Sequence, residues 1–200
     1  MVHNETVNVW THLVGAVVAG GMVVVVRWVV VGGGAPVWPL LVHIGTTTVG
    51  LSLSSTFHLL GCTSCADFKF FQKLDYVGIL TIASGVIISP LYYGFICSEH
   101  EFWRRLWIIT AIIGCGVAAL LTMCQDRPEP WINGVAWFCA GLMGCPGFIH
   151  LIFFKQTGPV FLWVPWAIGL SLVTMGVGIY AMKVPERIWP KRFDYFGSSH

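Results

Sequence analysis

Several histidines, one arginine and one aspartate lie within or beside long apolar stretches of this 200-residue sequence. An ionisable side chain costs about 2.5–3.5 kcal/mol at the middle of a bilayer, so each such residue requires a reason. Ser54 and His58 are four residues apart, which places them on one face of a helix. Imidazole nitrogens ligate Zn²⁺, and a nearby carboxylate can move protons. The candidate functional residues are Ser54 and the ionisable residues within or at the edge of the apolar stretches: His12, Arg27, His43, His58, Asp75, His150 and His200.

The composition indicates a membrane protein and not a soluble domain. Hydrophobic residues make up 56% of the chain and charged residues 10%, whereas a soluble domain has roughly 25% charged residues. The net charge of +2 and the scattered basic residues argue against nucleic acid as a partner. The seven cysteines form no ladder in polar loops, so no disulfide is predicted. The first residues lack a positively charged signal-peptide region, and the first apolar segment is predicted to stay in the membrane.

Six segments are long and apolar enough to position these residues as membrane-spanning helices, each of which needs about 20 apolar residues. The predicted spans are about 12–31, 39–60, 75–97, 106–124, 131–153 and 160–182. Short gaps between them predict antiparallel neighbours in a compact bundle. Ser198 is a suitable N-cap residue, so a seventh helix is predicted that is cut off at its start. Residues 1–200 are therefore predicted to form a single all-α, seven-transmembrane-helix domain with six complete helices.

The distribution of lysine and arginine predicts the orientation of the bundle. Cytoplasmic loops carry the excess of these residues. On the N-terminal side lie Lys69, Lys73, Arg127, Lys183, Arg187, Lys191 and Arg192, and on the other side lie Arg27, Arg104, Arg105 and Lys155. The N-terminus is therefore predicted to be cytoplasmic, in either the plasma membrane or an endomembrane.

The predicted helix directions sort the candidate residues into two layers. Ser54, His58, Asp75 and His200 fall on the inner side, where they could converge on one zinc site. Arg27, His43 and His150 fall on the outer side. The residues alone are also consistent with purely structural roles, because histidines and an aspartate can simply form interhelical hydrogen bonds, and Asp75 can be the N-cap of the third helix.

Three segments resemble the progestin and adipoQ receptor family, which includes the adiponectin receptors and relatives of haemolysin III. Together they extend over essentially the whole chain in the order and spacing of that family. The segments are HNETVNVWTHLVG at residues 3–15, SSTFH at 54–58 with FQKLDYVGI at 71–79, and PER at 185–187 with FD at 193–194 and SSH at 198–200.

The resemblance implies seven helices, a cytoplasmic N-terminus and a zinc ion held near the inner leaflet by three histidines. His58 and His200 match two of those metal ligands, Asp75 matches an aspartate that reaches zinc through water, and Ser54 matches the serine one turn before His58. Members similar to the adiponectin receptors are associated with the hydrolysis of ceramide to sphingosine and a fatty acid. The implied partners are therefore membrane lipids, ceramide or a related lipid, and an extracellular ligand.

Two departures from the family pattern limit what the resemblance implies. The third histidine of the family lies one helical turn beyond His200, past the end of this chain, so the 200-residue form is expected to be inactive. Residues 131–136 lack the arginine that adiponectin receptors carry near the start of helix 5. The alternative functions are a non-catalytic receptor with a structural zinc and a membrane-active protein like haemolysin III. The pair Cys62 and Cys65 is interpreted as loop cysteines or acylation sites and not as a zinc knuckle.

Overall fold

The chain folds into α-helices joined by short connections, as described by a computed structural model. The structure describes residues 5–30, 36–126, 130–153, 163–190 and 192–193. No β-strand occurs in these ranges, so the all-α prediction is confirmed. The helices are α1 (Thr6–Val30), α2 (Trp38–Leu60), α3 (Cys65–Gly94), α4 (Glu101–Cys124), α5 (Pro130–Phe153) and α6 (Trp163–Met182), with a 3₁₀ turn at Ser98–His100 before α4.

Four of these helices are long and apolar enough to cross a membrane. They are Thr6–Trp28 within α1, and the whole of α2, α3 and α4. In α5 and α6 the apolar stretches among the described residues are shorter, Met143–Phe153 and Ala167–Gly176. Several apolar helices with exposed hydrophobic side chains indicate a multi-pass membrane protein. The seven-helix count and the cytoplasmic N-terminus stay predictions, and the predicted seventh helix after residue 198 lies outside the described residues.

The third helix begins ten residues earlier than the predicted span 75–97. Ser64 has extended backbone angles, and its hydroxyl accepts a hydrogen bond of 3.0 Å from the backbone N–H of Asp67. The same hydroxyl donates to the Asp67 carboxylate at 2.6 Å, so two hydrogen bonds join Ser64 to Asp67. The stretch from Lys69 to Lys73, predicted as a gap, is therefore helical. The alternative in which Asp75 caps this helix is wrong, because Asp75 lies in its interior.

The α3 helix is central in the bundle, where it packs against α2, α4 and α5, while α1 packs on α2. The α2–α3 contact depends on glycines. A Cβ added to Gly50 would lie 2.7 Å from the carbonyl oxygen of Gly78, and one added to Gly85 would lie 3.0 Å from the Cα of His43. Earlier residues of α2 thus face later residues of α3, so the two helices run antiparallel at very short distance.

Candidate functional site

The first turns of α1 present a row of polar side chains to the end of α2. Glu5 immediately precedes the helix, and its carbonyl oxygen accepts a hydrogen bond of 3.0 Å from the N–H of Val9. Glu5, Asn8 and His12 follow the spacing i, i+3 and i+7, which aligns them on one face. Asn8 Nδ2 donates to Glu5 Oε2 at 2.9 Å. This face is therefore a preformed set of hydrogen-bonding groups.

His58 is the α2 residue that contacts this face most directly. Its Nδ1 atom lies 2.7 Å from Glu5 Oε2, and its side chain is only 4% exposed. The ring of Phe57 packs beside it with ring centroids 5.3 Å apart. A buried histidine needs a polar partner for its ring nitrogens, and Glu5 supplies one from the neighbouring helix.

Ser54, one turn before His58, makes the second contact between the two helices. Ser54 Oγ and His12 Nδ1 are 2.8 Å apart, and the rings of His12 and His58 meet edge to face with centroids 5.3 Å apart. Ser55 adds a hydrogen bond of 3.1 Å from its hydroxyl to the carbonyl oxygen of Val9. Two histidines, two serines, one glutamate and one asparagine thus form a continuous polar cluster across α1 and α2.

Asp75 lies on α3 and is 7% exposed. An α-helix rises about 1.5 Å per residue, so His58 lies about 12 Å beyond Gly50 along α2. Because α3 runs antiparallel to α2, Asp75 lies about 4.5 Å from Gly78 in the same direction. By this count of residues, the Cα of Asp75 is within about 1.5 Å of the level of Ser54 and about 7.5 Å from the level of His58 along the helix axes. Among the hydrogen bonds of the described residues, none joins Asp75 to Ser54 or His58.

The remaining predicted candidates lie elsewhere. His200 lies outside the described residues, so its position relative to His58 stays a prediction. His43 packs against Gly85, and His150 accepts a hydrogen bond of 3.1 Å at Nδ1 from Trp107 Nε1. Neither belongs to the α1–α2 polar cluster, which agrees with their assignment to another layer.

The stretch 131–136, which lacks a basic residue, contains a fully buried amide. Asn133 Oδ1 accepts a hydrogen bond of 2.8 Å from Gln125 Nε2 and one of 3.3 Å from Thr122 Oγ1. Its Nδ2 atom and the Nε1 atom of Trp137, one turn later, are buried without a partner in the described part of the chain. Trp137 packs edge to face on Tyr76, the residue after Asp75, with centroids 5.0 Å apart.

The chemistry of the donor set fits a zinc ion. A metal-ligating histidine almost always donates its other ring N–H to a carboxylate, a carbonyl or water, and the Glu5–His58 contact has this form. Asp75 adds a buried carboxylate on the adjoining helix. In the ranges that the structure describes, no group of three His, Cys, Asp or Glu side chains is close enough to hold a metal. A zinc site at His58 would therefore need further ligands, a role predicted for His200 and for the histidine one helical turn beyond it.

The sequence analysis selected Ser54, His58 and, as a further candidate, His12, but it predicted neither Glu5 nor the contacts among these residues. Glu5 belongs to the first of the three family-like segments but is not among the predicted site residues, and no partner is predicted for His12. The signal that could have found Glu5 is the spacing of Glu5, Asn8 and His12, a polar stripe at the start of an otherwise apolar helix.

Comparison with known proteins places the chain in a family. A family model described as Haemolysin-III related matches residues 1–200. The chain is 30% identical over 213 residues to the Adiponectin receptor protein of Drosophila melanogaster, covering 100% of this chain and 46% of that protein. It is 31% identical over 182 residues to the Heptahelical transmembrane protein ADIPOR2 of Oryza sativa subsp. japonica, covering 84% and 75%.

A third relative is the Progestin and adipoQ receptor-like protein 1 of Caenorhabditis elegans, 29% identical over 212 residues, with 99% of this chain and 47% of that protein covered. The chain thus spans about half the length of its fly and worm relatives. The complete match to the family model and the identity to the rice protein support one conclusion: the chain belongs to the haemolysin-III related family of membrane proteins and is similar to its adiponectin receptor members.

Proposed function

We propose that this protein is a zinc-dependent membrane hydrolase that cleaves a lipid amide such as ceramide, with a link to receptor signalling. The observation that carries the proposal is the buried His58 imidazole, whose Nδ1 is bound by the Glu5 carboxylate. This arrangement is typical of a zinc-ligating histidine. A buried carboxylate, that of Asp75, lies about one to two helical turns away along the α2–α3 contact.

The proposed orientation places this site near the inner leaflet. The N-terminus and the end of α2 lie on the same side of the bundle, and the larger share of lysine and arginine falls on that side. A lipid of the inner leaflet could therefore present its headgroup amide to His58 and Asp75 while its chains remain among the apolar helices.

His58 Nε2 and His200 would hold the zinc ion in this proposal. When bound, zinc supplies Lewis acidity that favours attack on an amide carbonyl. Asp75 would take a proton from the attacking water as it adds to the carbonyl carbon. Asp75 would then deliver that proton to the leaving nitrogen as the C–N bond breaks, so that the products are a fatty acid and an amine. Ser54, oriented by His12, would hydrogen-bond to the substrate headgroup.

The first test is zinc content per chain, measured by elemental analysis of detergent-purified protein. The 200-residue chain is compared with a chain continued past His200 through a seventh helix, called here the extended chain. We expect about one zinc per extended chain and a loss of this zinc in His58→Ala, because the site loses a ligand. An extended chain without zinc would overturn the metal-hydrolase proposal.

The second test separates catalysis from metal binding by an Asp75→Asn substitution in the extended chain. The amide cannot accept and deliver a proton as a carboxylate does, so ceramide hydrolysis should fall by about 10²–10⁴-fold. Zinc content and the apparent melting temperature should remain unchanged. Asp126→Asn, at an exposed position after α4, is the matched control and should keep the wild-type rate.

A second candidate function is a receptor in which zinc is purely structural. The contacts from Glu5 to His58 and from His12 to Ser54 favour it, because side chains of the candidate site already have a structural role in joining α1 to α2. In this case the extended chain binds zinc but shows no ceramide hydrolysis for Asp75→Asn to remove.

A further inference from the structure

Glu5 Oε2 is shared between two donors at the start of α1. It accepts from Asn8 Nδ2 at 2.9 Å and faces His58 Nδ1 at 2.7 Å. A carboxylate oxygen can only accept hydrogen bonds, so the hydrogen of the His58 contact resides on Nδ1. In a neutral imidazole this assigns the lone pair to Nε2. Glu5 thereby selects which of the two ring nitrogens can ligate a metal.

Glu5 is itself held in place by α1. Its carbonyl oxygen accepts the first hydrogen bond of the helix, from Val9 N–H at 3.0 Å, and Val9 in turn is joined to Ser55 of α2. The backbone of Glu5 is therefore anchored on α1, and its carboxylate contacts His58 on α2. Because His58 is almost completely buried, its ring has little room to adopt another orientation.

We propose that Glu5 is the positioning residue of the metal site: it sets the tautomer and the ring orientation of His58 from the neighbouring helix. This inference rests on the proposed zinc function. It assigns to the N-terminal segment of α1 a part in metal affinity, in addition to its part in spanning the membrane. Glu5 does not touch the substrate in this proposal and acts only through His58.

The test measures the zinc dissociation constant of the extended chain by competition with a chelator. Loss of such an outer carboxylate typically costs 10–100-fold in metal affinity. Glu5→Ala is expected to weaken zinc binding by about 100-fold and Glu5→Gln by about 10-fold, since glutamine can still accept the Nδ1 hydrogen bond but carries no charge. Asn8→Ala, which removes one donor from Glu5, should have an effect smaller than that of Glu5→Gln.

A matched control is Glu101→Gln, the same chemical change at an exposed glutamate that pairs with Arg105 on α4. It should leave the zinc dissociation constant at the wild-type value. Two further readouts separate positioning from a merely structural role. The visible absorption spectrum of the Co²⁺-loaded protein should change in Glu5→Gln, because the ligand geometry changes. The melting temperature of the metal-free Glu5→Gln protein should stay close to that of the wild type.

The outcomes distinguish this inference from the proposed function. If wild-type and Glu5 variants bind zinc equally well and His58→Ala does not bind it, the zinc site stands and the role of Glu5 is overturned. If no form binds zinc, both proposals are overturned. A third outcome is that Glu5→Gln binds zinc weakly, leaves the Co²⁺ spectrum unchanged and lowers the melting temperature of the metal-free protein. In that case Glu5 has only a structural role and the inference fails.

Discussion

Ser54 and Ser52 lie two residues apart on α2 and have different partners. Ser54 reaches His12 on α1, whereas Ser52 is exposed and donates 2.7 Å to the carbonyl oxygen of Thr48 in its own helix. When one partner of a hydrogen bond between two helices is removed, the polar group on the other helix loses that hydrogen bond. The two serines therefore allow the α1–α2 cluster to be probed with the same substitution.

Ser54→Ala is expected to lower the free energy of unfolding by about 0.5–1.5 kcal/mol, because the half-buried His12 Nδ1 loses its hydrogen bond with Ser54 Oγ. Ser52→Ala should change it by less than about 0.5 kcal/mol. The measurement is the apparent melting temperature in detergent, where 1 kcal/mol corresponds to about 2–4 °C for a chain of this size. Equal melting temperatures for the two variants would contradict the described His12–Ser54 contact.

At the scale of the helix, the α2–α3 contact and the cap of α3 determine where the site residues lie. The glycines at positions 50 and 78 allow the two backbones to touch, and this sets the depth of Asp75 relative to Ser54. The glycine spacing is visible in the sequence, but many other glycines of the spans face open space, among them Gly21 and Gly116. Which glycines form contacts is decided by packing alone.

Gly50→Ala should destabilise the protein by about 1–3 kcal/mol, the typical cost of overpacking. The new methyl group would lie 2.7 Å from the carbonyl oxygen of Gly78 and 2.5 Å from Ile82 Cγ1. Gly45→Ala is the matched control in the same helix, since nothing lies within 4 Å of its added Cβ. The control should be neutral or stabilising, because alanine is the better helix former. Thermal unfolding of both variants in detergent tests the prediction.

Ser64→Ala removes the N-cap of α3 and is expected to cost about 0.5–2 kcal/mol. The hydroxyl both accepts from Asp67 N–H and donates to the Asp67 carboxylate, so two contacts are lost together. Thr63 also donates to this carboxylate, at 2.9 Å, and should retain part of the stability. Hydrogen exchange of the first turn of α3 should accelerate in Ser64→Ala, and an unchanged rate would contradict the capping role.

At the scale of the whole molecule, orientation decides on which side the candidate site lies. Cys62 lies in the α2–α3 connection and Cys97 in the α3–α4 connection, at opposite ends of α3, and both are exposed. They can therefore report the two sides of the membrane separately. Each is tested in a variant in which the other cysteines are replaced by serine or alanine.

With a cytoplasmic N-terminus, Cys97 should react with a membrane-impermeant maleimide in intact cells. Cys62 should react only after the membrane is permeabilised, because its connection would face the cytoplasm. The opposite labelling pattern would reverse the proposed orientation and move the α1–α2 cluster to the outer leaflet.

The sequence by itself determined the membrane class, the all-α fold and the family, because hydropathy, helix length and short motifs are local properties of the chain. It also selected Ser54 and His58, which one helical turn brings together. It did not predict the early start of α3, because the polar stretch from Lys69 to Lys73 interrupts the apolar pattern. The Ser64 cap explains why the helix includes this stretch.

Only the tertiary structure decided that Glu5 meets His58 and that Asp75 lies level with Ser54. Glu5 and His58 are 53 residues apart, and no local sequence pattern predicts the axial register between two helices. That register depends on which small residues let the backbones approach, as at Gly50 and Gly78. It depends equally on which polar groups must pair once they are removed from water.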